Sequence, residues 1–188
     1  LLHSTASPGS PLSFPGAASS VASRDLAQGV GVDQRSKTLW KDGTPVSARF
    51  DDPYFSIVDG VAETTHVFLR GNDLPARLAP GFTVAELGFG TGLNLLALER
   101  VVPPGCGVRF TSFEAFPMAA ADAVAALEAT GAFATDRIAA VAAILEERPA
   151  QTRLGDLGVE IHWGDARETL PAWDGRADAW FLDGFSPA

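Results

Sequence analysis

The sequence predicts an α/β fold built on a parallel sheet, and three observations predict it. Apolar strand-like runs alternate with helical runs from Phe82 onward. A glycine-rich turn, Gly88-Phe89-Gly90-Thr91-Gly92, joins the first of those strands to a helix. Four strand-like runs each end in an acid: Glu86, Glu114, Asp165 and Asp183. Strands alternating with helices argue for parallel pairing, because a parallel crossover needs a helix-length connection.

The chain has 188 residues, is 46% hydrophobic and carries a net charge of -9. This length fits one domain with a real core. No apolar run approaches the ~18 residues of a membrane helix. Cys106 is the sole cysteine, so no internal disulfide forms, which fits a reducing, cytoplasmic setting. His3, His66 and His162 are scattered and no metal-ligand spacing is present. The acidic balance argues against a nucleic-acid surface over the whole domain. A local patch stays open: Arg35, Lys37, Lys41 and Arg49 cluster loosely, either as such a patch or as ordinary solvated charges.

Residues 1–35 read as a disordered tail, with Ser, Pro, Ala and Gly, no periodicity, and neither a basic n-region nor an apolar h-region. Residues 36–80 read as an N-terminal lid or turn segment. Within it Asp42-Gly43 marks a tight turn between two short strands. A helix is expected over 62–70, ending at Gly71. Residues 81–188 form the core. Strands are expected at 82–85, 108–113, 159–163 and 179–182. Helices are expected at 93–100, at 118–129 after Pro117, and at 138–147.

Gly88, Gly90 and Gly92 have the spacing G-x-G-x-G. A dinucleotide G-x-G-x-x-G motif would need glycine where Leu93 stands. A tight strand-to-helix turn leaves bare backbone where a ligand can approach closely. In parallel sheets ligands bind off the carboxyl ends of the strands. Glu114 follows Gly92 by 22 residues, near the ~20 at which an acid receives a ribose. Asp165 is placed to meet an adenine amine, and Asp183 stands beside the reacting group. For any one acid alone, a helix cap or turn role is the simpler reading. Four acids at successive strand ends, with the glycines, favour a nucleotide-like ligand.

Glu86 followed by the glycines is the arrangement of S-adenosylmethionine-dependent methyltransferases. Beyond it, the stretch from Trp40 to Ala188 resembles the methyltransferase domain of the tRNA 5-methylaminomethyl-2-thiouridine biosynthesis family. The matching residues are Gly43-Thr44-Pro45-Val46-Ser47, Phe50-Asp51-Asp52-Pro53-Tyr54-Phe55-Ser56, Glu63-Thr64, Val67-Phe68-Leu69, Gly71-Asn72, Glu86 to Asn94, Ser112-Phe113-Glu114, Gly164-Asp165 and Trp180 to Pro187. The Phe50–Ser56 and Asp183–Pro187 motifs are the most particular.

The resemblance implies a Rossmann-like class I S-adenosylmethionine-dependent methyltransferase fold, truncated after the fourth strand. It implies S-adenosylmethionine as cofactor, tRNA as substrate and N-methylation of 5-aminomethyl-2-thiouridine at the wobble position. It assigns Glu86, Gly88, Gly90, Gly92, Asn94, Glu114 and Asp165 to the cofactor and Asp183 to catalysis. Asp51, Asp52, Tyr54 and Phe185 are expected at the substrate or in a lid, with a packed aromatic plug and solvated acids as the alternative. A flavin-dependent oxidoreductase domain is implied as a fused partner outside this chain. Two further readings remain: a methyl- or aminopropyltransferase acting on a small amine, and an inactive fragment.

Overall fold

The computed structural model describes residues 36–41, 43–55 and 59–183. The expected tail over 1–35, Asp42 of the turn, and Phe185 with the Gly184–Pro187 motif lie outside the described residues.

The lid segment opens with a hairpin, β1 (Thr38–Lys41) and β2 (Thr44–Ser47), and adds β3 (Asp52–Pro53) in antiparallel order β1-β2-β3. Gly43 takes φ +80 at the turn, a conformation glycine adopts without penalty. Helix α1 (Gly60–Thr64) continues as a π-helical segment, Thr65–Arg70. The helix thus begins two residues earlier than expected and reaches the same end. Such segments lengthen the hydrogen-bond register and recur at functional sites.

The core sheet contains β4 (Thr83–Leu87), β5 (Arg109–Glu114), β6 (Gln151–Leu154), β7 (Leu157–Trp163) and β8 (Ala179–Leu182) in the order β6-β7-β5-β4-β8, and all but β6 run parallel. From β4 the chain steps to β5 and β7, then returns to place β8 on the other side of β4. Strand order therefore reverses at β4, which is where open α/β sheets bind ligands. Helix α2 (Leu93–Glu99) is buried from Leu93 through Leu98. Helices α3 (Ala120–Ala129) and α4 (Thr135–Glu147) pack against each other. Val84, Phe110, Phe181, Leu95 and Leu98 are fully buried. Each such side chain contributes about 1.5–3 kcal/mol by leaving water.

Two elements of the core, like β3 in the lid segment, were not expected. Strand β6 (Gln151–Leu154) pairs antiparallel with β7 at the sheet edge. Its QTRL sequence is too short and polar to read as a strand, but Gly155-Asp156 is a hairpin-turn pair, and Gly155 has φ +56. Helix α5 (Ala166–Ala172) contains Pro171 and buries no residue, so it carries no apolar period. Helix α3 also starts later than Pro117 suggests. The chain there runs extended, and Met118 forms an isolated parallel bridge with Ser36.

Candidate functional site

A cavity of about 680 Å³ opens at the carboxyl ends of β4, β5 and β8. Gly88, Gly90, Asn94, Glu114, Asp165 and Asp183 line it from the core, and Asp52, Tyr54, Phe55, Glu63 and Val67 line it from the preceding segment.

Glu114 ends β5 and holds the glycine turn. Its Oε2 accepts from the backbone N–H of Phe89 at 2.8 Å and of Gly90 at 3.0 Å. Its Oε1 accepts from the Phe116 N–H at 2.6 Å. Burial pushes the Glu114 carboxyl above its usual range, and these three backbone donors pull it back. A carboxylate has about four acceptor sites, so about one remains for a hydroxyl donor.

The three glycines do different things. Gly88 (φ +86) and Gly90 (φ +53) line the cavity. A Cβ on Gly88 would meet the Asp183 carbonyl oxygen at 3.3 Å, and one on Gly90 the Tyr54 ring at 3.5 Å. Gly92 (φ +77) is outside the cavity lining. A Cβ there would sit 2.7 Å from a Val141 methyl carbon, so Gly92 lets α4 approach the turn.

Asn94 ties the acids together. Its Nδ2 donates to Asp183 Oδ2 at 2.7 Å and to Glu86 Oε2 at 3.3 Å, while its Oδ1 accepts from the Thr64 hydroxyl at 3.1 Å. Glu86 is fully buried and does not line the cavity; it lies beneath Asn94. Burial drives its carboxyl well above the ordinary range; the Ser112 and Asn94 side chains oppose the rise and the Asp183 charge adds to it. Asp183 is raised as well, by burial first and by the Glu63 charge in addition, against the Asn94 hydrogen bond.

Asp165 is at the cavity wall as the N-cap of α5. Its Oδ1 accepts from the Arg167 backbone N–H at 2.9 Å, and the Arg167 guanidinium pairs with both carboxylate oxygens. Those bonds hold its pKa down to about 2. Among the lid candidates, Asp51 lies outside the cavity lining and pairs with Lys41 at 2.7 Å, which lowers its pKa. Asp52 and Tyr54 line the cavity. The Tyr54 hydroxyl donates to Ser36 Oγ at 2.6 Å; burial raises its pKa, against that bond. Glu63, Thr64 and Phe116 reach the site without having been singled out. Glu63-Thr64 stood inside a matching motif, whereas Phe116 only follows Glu114 closely.

The site fits S-adenosylmethionine on its own chemistry. Gly88 and Gly90 leave a Cβ-free cradle, and an acceptor-only carboxylate stands at the end of β5, where a ribose diol would bond. Among the described residues no His, Cys, Asp and Glu group could hold a metal ion, and no helix is long and apolar enough to cross a membrane.

Comparison with known proteins agrees with this geometry. Residues 129–188 match the family of S-adenosyl-L-methionine-dependent methyltransferases. The chain is 43% identical to the tRNA 5-methylaminomethyl-2-thiouridine biosynthesis bifunctional protein MnmC of Pseudomonas paraeruginosa, over 82% of this chain and 26% of that protein. It is 42% identical to the protein of the same name from Caulobacter vibrioides, over 81% of this chain and 28% of the relative. The chain thus spans about a quarter of the length of these curated relatives. The crystal structure of MNMC2 from Aquifex aeolicus shares the fold with a TM-score of 0.59 at 23% identity, over 81% of this chain and 50% of that one. The chain is therefore an α/β domain of the S-adenosyl-L-methionine-dependent methyltransferase type, similar along most of its length to the MnmC proteins.

Proposed function

We propose that this chain transfers the methyl group of S-adenosylmethionine to the primary amine of 5-aminomethyl-2-thiouridine at the tRNA wobble position. One observation carries the reading. The glycine turn, Glu114 and Asp183 line one cavity, in a chain 43% identical to a protein named for the biosynthesis of 5-methylaminomethyl-2-thiouridine, the nucleoside this methylation would yield.

S-adenosylmethionine supplies an activated methyl group on a sulfonium. Gly88 and Gly90 would let the cofactor approach the backbone closely, and Glu114 would accept from a ribose hydroxyl. Methyl transfer is an in-line displacement, so the protein's work is positioning and keeping the amine neutral. Asp183 accepts a hydrogen bond from the amine and directs its lone pair. As the N–CH₃ bond forms and the S–CH₃ bond breaks, leaving the neutral thioether S-adenosylhomocysteine, the nitrogen would gain positive charge beside the Asp183 carboxylate, which would stabilise it. The raised proton affinity of Asp183 suits it to take the surplus proton afterwards. Tyr54, packed over Gly90, and Asp52 cover the cavity as a lid.

This reading makes tRNA the macromolecular substrate and the cytoplasm the compartment. A flavin-dependent oxidoreductase, the implied fused partner, would remove a carboxymethyl group before methylation. The acidic net charge favours one rival, a transferase acting on a small free amine. Methyl transfer from labelled S-adenosylmethionine to tRNA bearing 5-aminomethyl-2-thiouridine, compared with free amines, tests the two. Label in tRNA alone supports the proposal. Label in free amines alone removes it, and no cofactor binding by calorimetry removes both.

A further inference from the structure

The base of the lid hairpin gathers exposed cations and aromatics at the cavity mouth. The Ala48 N–H donates to the Lys37 carbonyl at 2.9 Å, which extends the hairpin ladder and sets Lys37 opposite Ala48, next to Arg49. Ser36 ties this end to the core: its N–H donates to the Pro117 carbonyl at 3.1 Å, and its hydroxyl accepts from Tyr54. Phe50 follows Arg49, lines the cavity and is 38% exposed.

The Arg49 guanidinium lies 4.2 Å from the Phe116 ring centroid and 5.7 Å from that of Phe50. The two rings are themselves 5.7 Å apart. A guanidinium resting on an aromatic face keeps its N–H donors, which lie in its own plane, available at the edges. Lys37 and Arg49 are both exposed, and neither forms an ion pair among the described residues. By contrast, Lys41 on the same hairpin is taken by Asp51. Unpaired cations are notable in a chain of net charge -9, where acids outnumber bases. Basic side chains interleaved with exposed aromatic rings suit single-stranded nucleic acid, whose phosphates pair with the cations and whose bases stack on the rings.

We propose that the hairpin base, Lys37, Arg49 and Phe50, binds the single-stranded RNA flanking the nucleotide that enters the cavity. Arg49 and Lys37 take phosphates, and Phe50 carries a base at the cavity mouth. The inference rests on the tRNA reading above. It adds that the RNA contact lies on the lid segment, so RNA binding and cavity closure use the same element.

The test measures Kd for an unmodified anticodon stem-loop RNA, by fluorescence anisotropy across a salt series, with the parent chain and the Lys37→Gln/Arg49→Gln variant. Removing two phosphate contacts should weaken binding about tenfold or more near 0.1 M salt. The slope of log K against log salt should flatten by roughly 1.4, or 0.7 per contact on a single strand. S-adenosylmethionine affinity, read by calorimetry, should stay within twofold of the parent. Phe50→Leu should weaken RNA binding about fivefold or more with no change in salt slope, since it removes stacking and no charge. Parent-like RNA affinity and slope in the double variant would overturn the inference while leaving the tRNA reading standing, provided the parent methylates tRNA. A parent chain that binds S-adenosylmethionine but neither binds nor methylates RNA would overturn both.

Discussion

The side-chain amide of Asn94 donates to the Asp183 carboxylate at 2.7 Å, across 89 residues of sequence. The same Nδ2 reaches Glu86 Oε2 at 3.3 Å. Its two hydrogens thus serve two acids, and the Thr64 hydroxyl, donating to Oδ1 at 3.1 Å, fixes the amide in that orientation. An amide turned the other way would put its oxygen against two carboxylates. Asn94, expected at the cofactor, lines the cavity and also ties Asp183 to Glu86.

Asn94→Asp should therefore destabilise the fold at neutral pH, because a third carboxylate replaces the donor shared by Asp183 and the buried Glu86. A loss of about 2–4 kcal/mol at pH 7 is expected from an unsatisfied buried group with added charge. Urea denaturation at pH 7 and pH 5 checks it. The deficit relative to the parent should shrink at pH 5, where one acid can take a proton and donate in the amide's place.

Glu86 makes stability depend on pH. Its folded pKa is raised well above the unfolded value near 4.5, so the folded state binds the proton more tightly. Between those two values the folded protein carries more bound proton than the unfolded one. Stability from this group is present at and below the unfolded pKa and falls as pH rises toward the folded pKa, by up to ~1.4 kcal/mol per pH unit. Glu86→Gln keeps the shape and removes the titration. Its unfolding free energy should exceed the parent's at pH 7, with the gap closing toward pH 4.5. A gap that does not vary with pH would mean Glu86 titrates normally.

Gly92→Ala and Gly90→Ala should separate packing from ligand approach. Alanine at Gly92 combines a positive φ with a Cβ 2.7 Å from Val141. Backbone strain of about 1–2 kcal/mol and a similar overpacking cost should lower stability by roughly 2–4 kcal/mol. At Gly90 the Cβ meets only ordinary contact with Tyr54, at 3.5 Å. Its stability loss should be about 1–2 kcal/mol from strain alone. S-adenosylmethionine affinity, measured under conditions where both variants are folded, should fall more in Gly90→Ala.

Much of this was legible in the sequence because the signals were local. The glycine turn, the acid ending β5 and the acid after β8 follow from strand periodicity and the residue that terminates each strand. The helix cap at Asp165 is also local, since Arg167 is two residues away, and it explains why that carboxylate is held by its own helix. What the sequence hid depends on parts far apart in the chain. Gly92 looks like the other two glycines until α4 brings Val141 against it. Glu86 looks like a strand-end acid facing ligand, but β4 runs one residue further, to Leu87, and Glu86 faces the Asn94 amide below the cavity. Lys37 and Arg49 read equally as a local patch or as solvated charge until the hairpin pairs Lys37 with Ala48 and Arg49 stacks on Phe50 and Phe116.

Asp183→Asn is the most direct test of the catalytic assignment. The substitution is nearly isosteric, and the amide oxygen it introduces can still accept the Asn94 hydrogen bond. Local structure should survive while the negative charge disappears. If Asp183 orients the amine and stabilises positive charge on nitrogen, the loss falls on the transition state rather than on cofactor binding. The single-turnover rate with saturating S-adenosylmethionine and tRNA should drop ~100-fold or more, as when one preorganised electrostatic group is removed. Cofactor Kd should change by less than about threefold, which is under ~0.7 kcal/mol. The rival view makes Asp183 a partner that only fixes Asn94 and the end of β8. On that view the variant loses thermal stability and keeps its rate per folded molecule. Rates normalised to the folded fraction separate the two, and a normalised rate within about threefold of the parent would leave Asp183 a structural role alone.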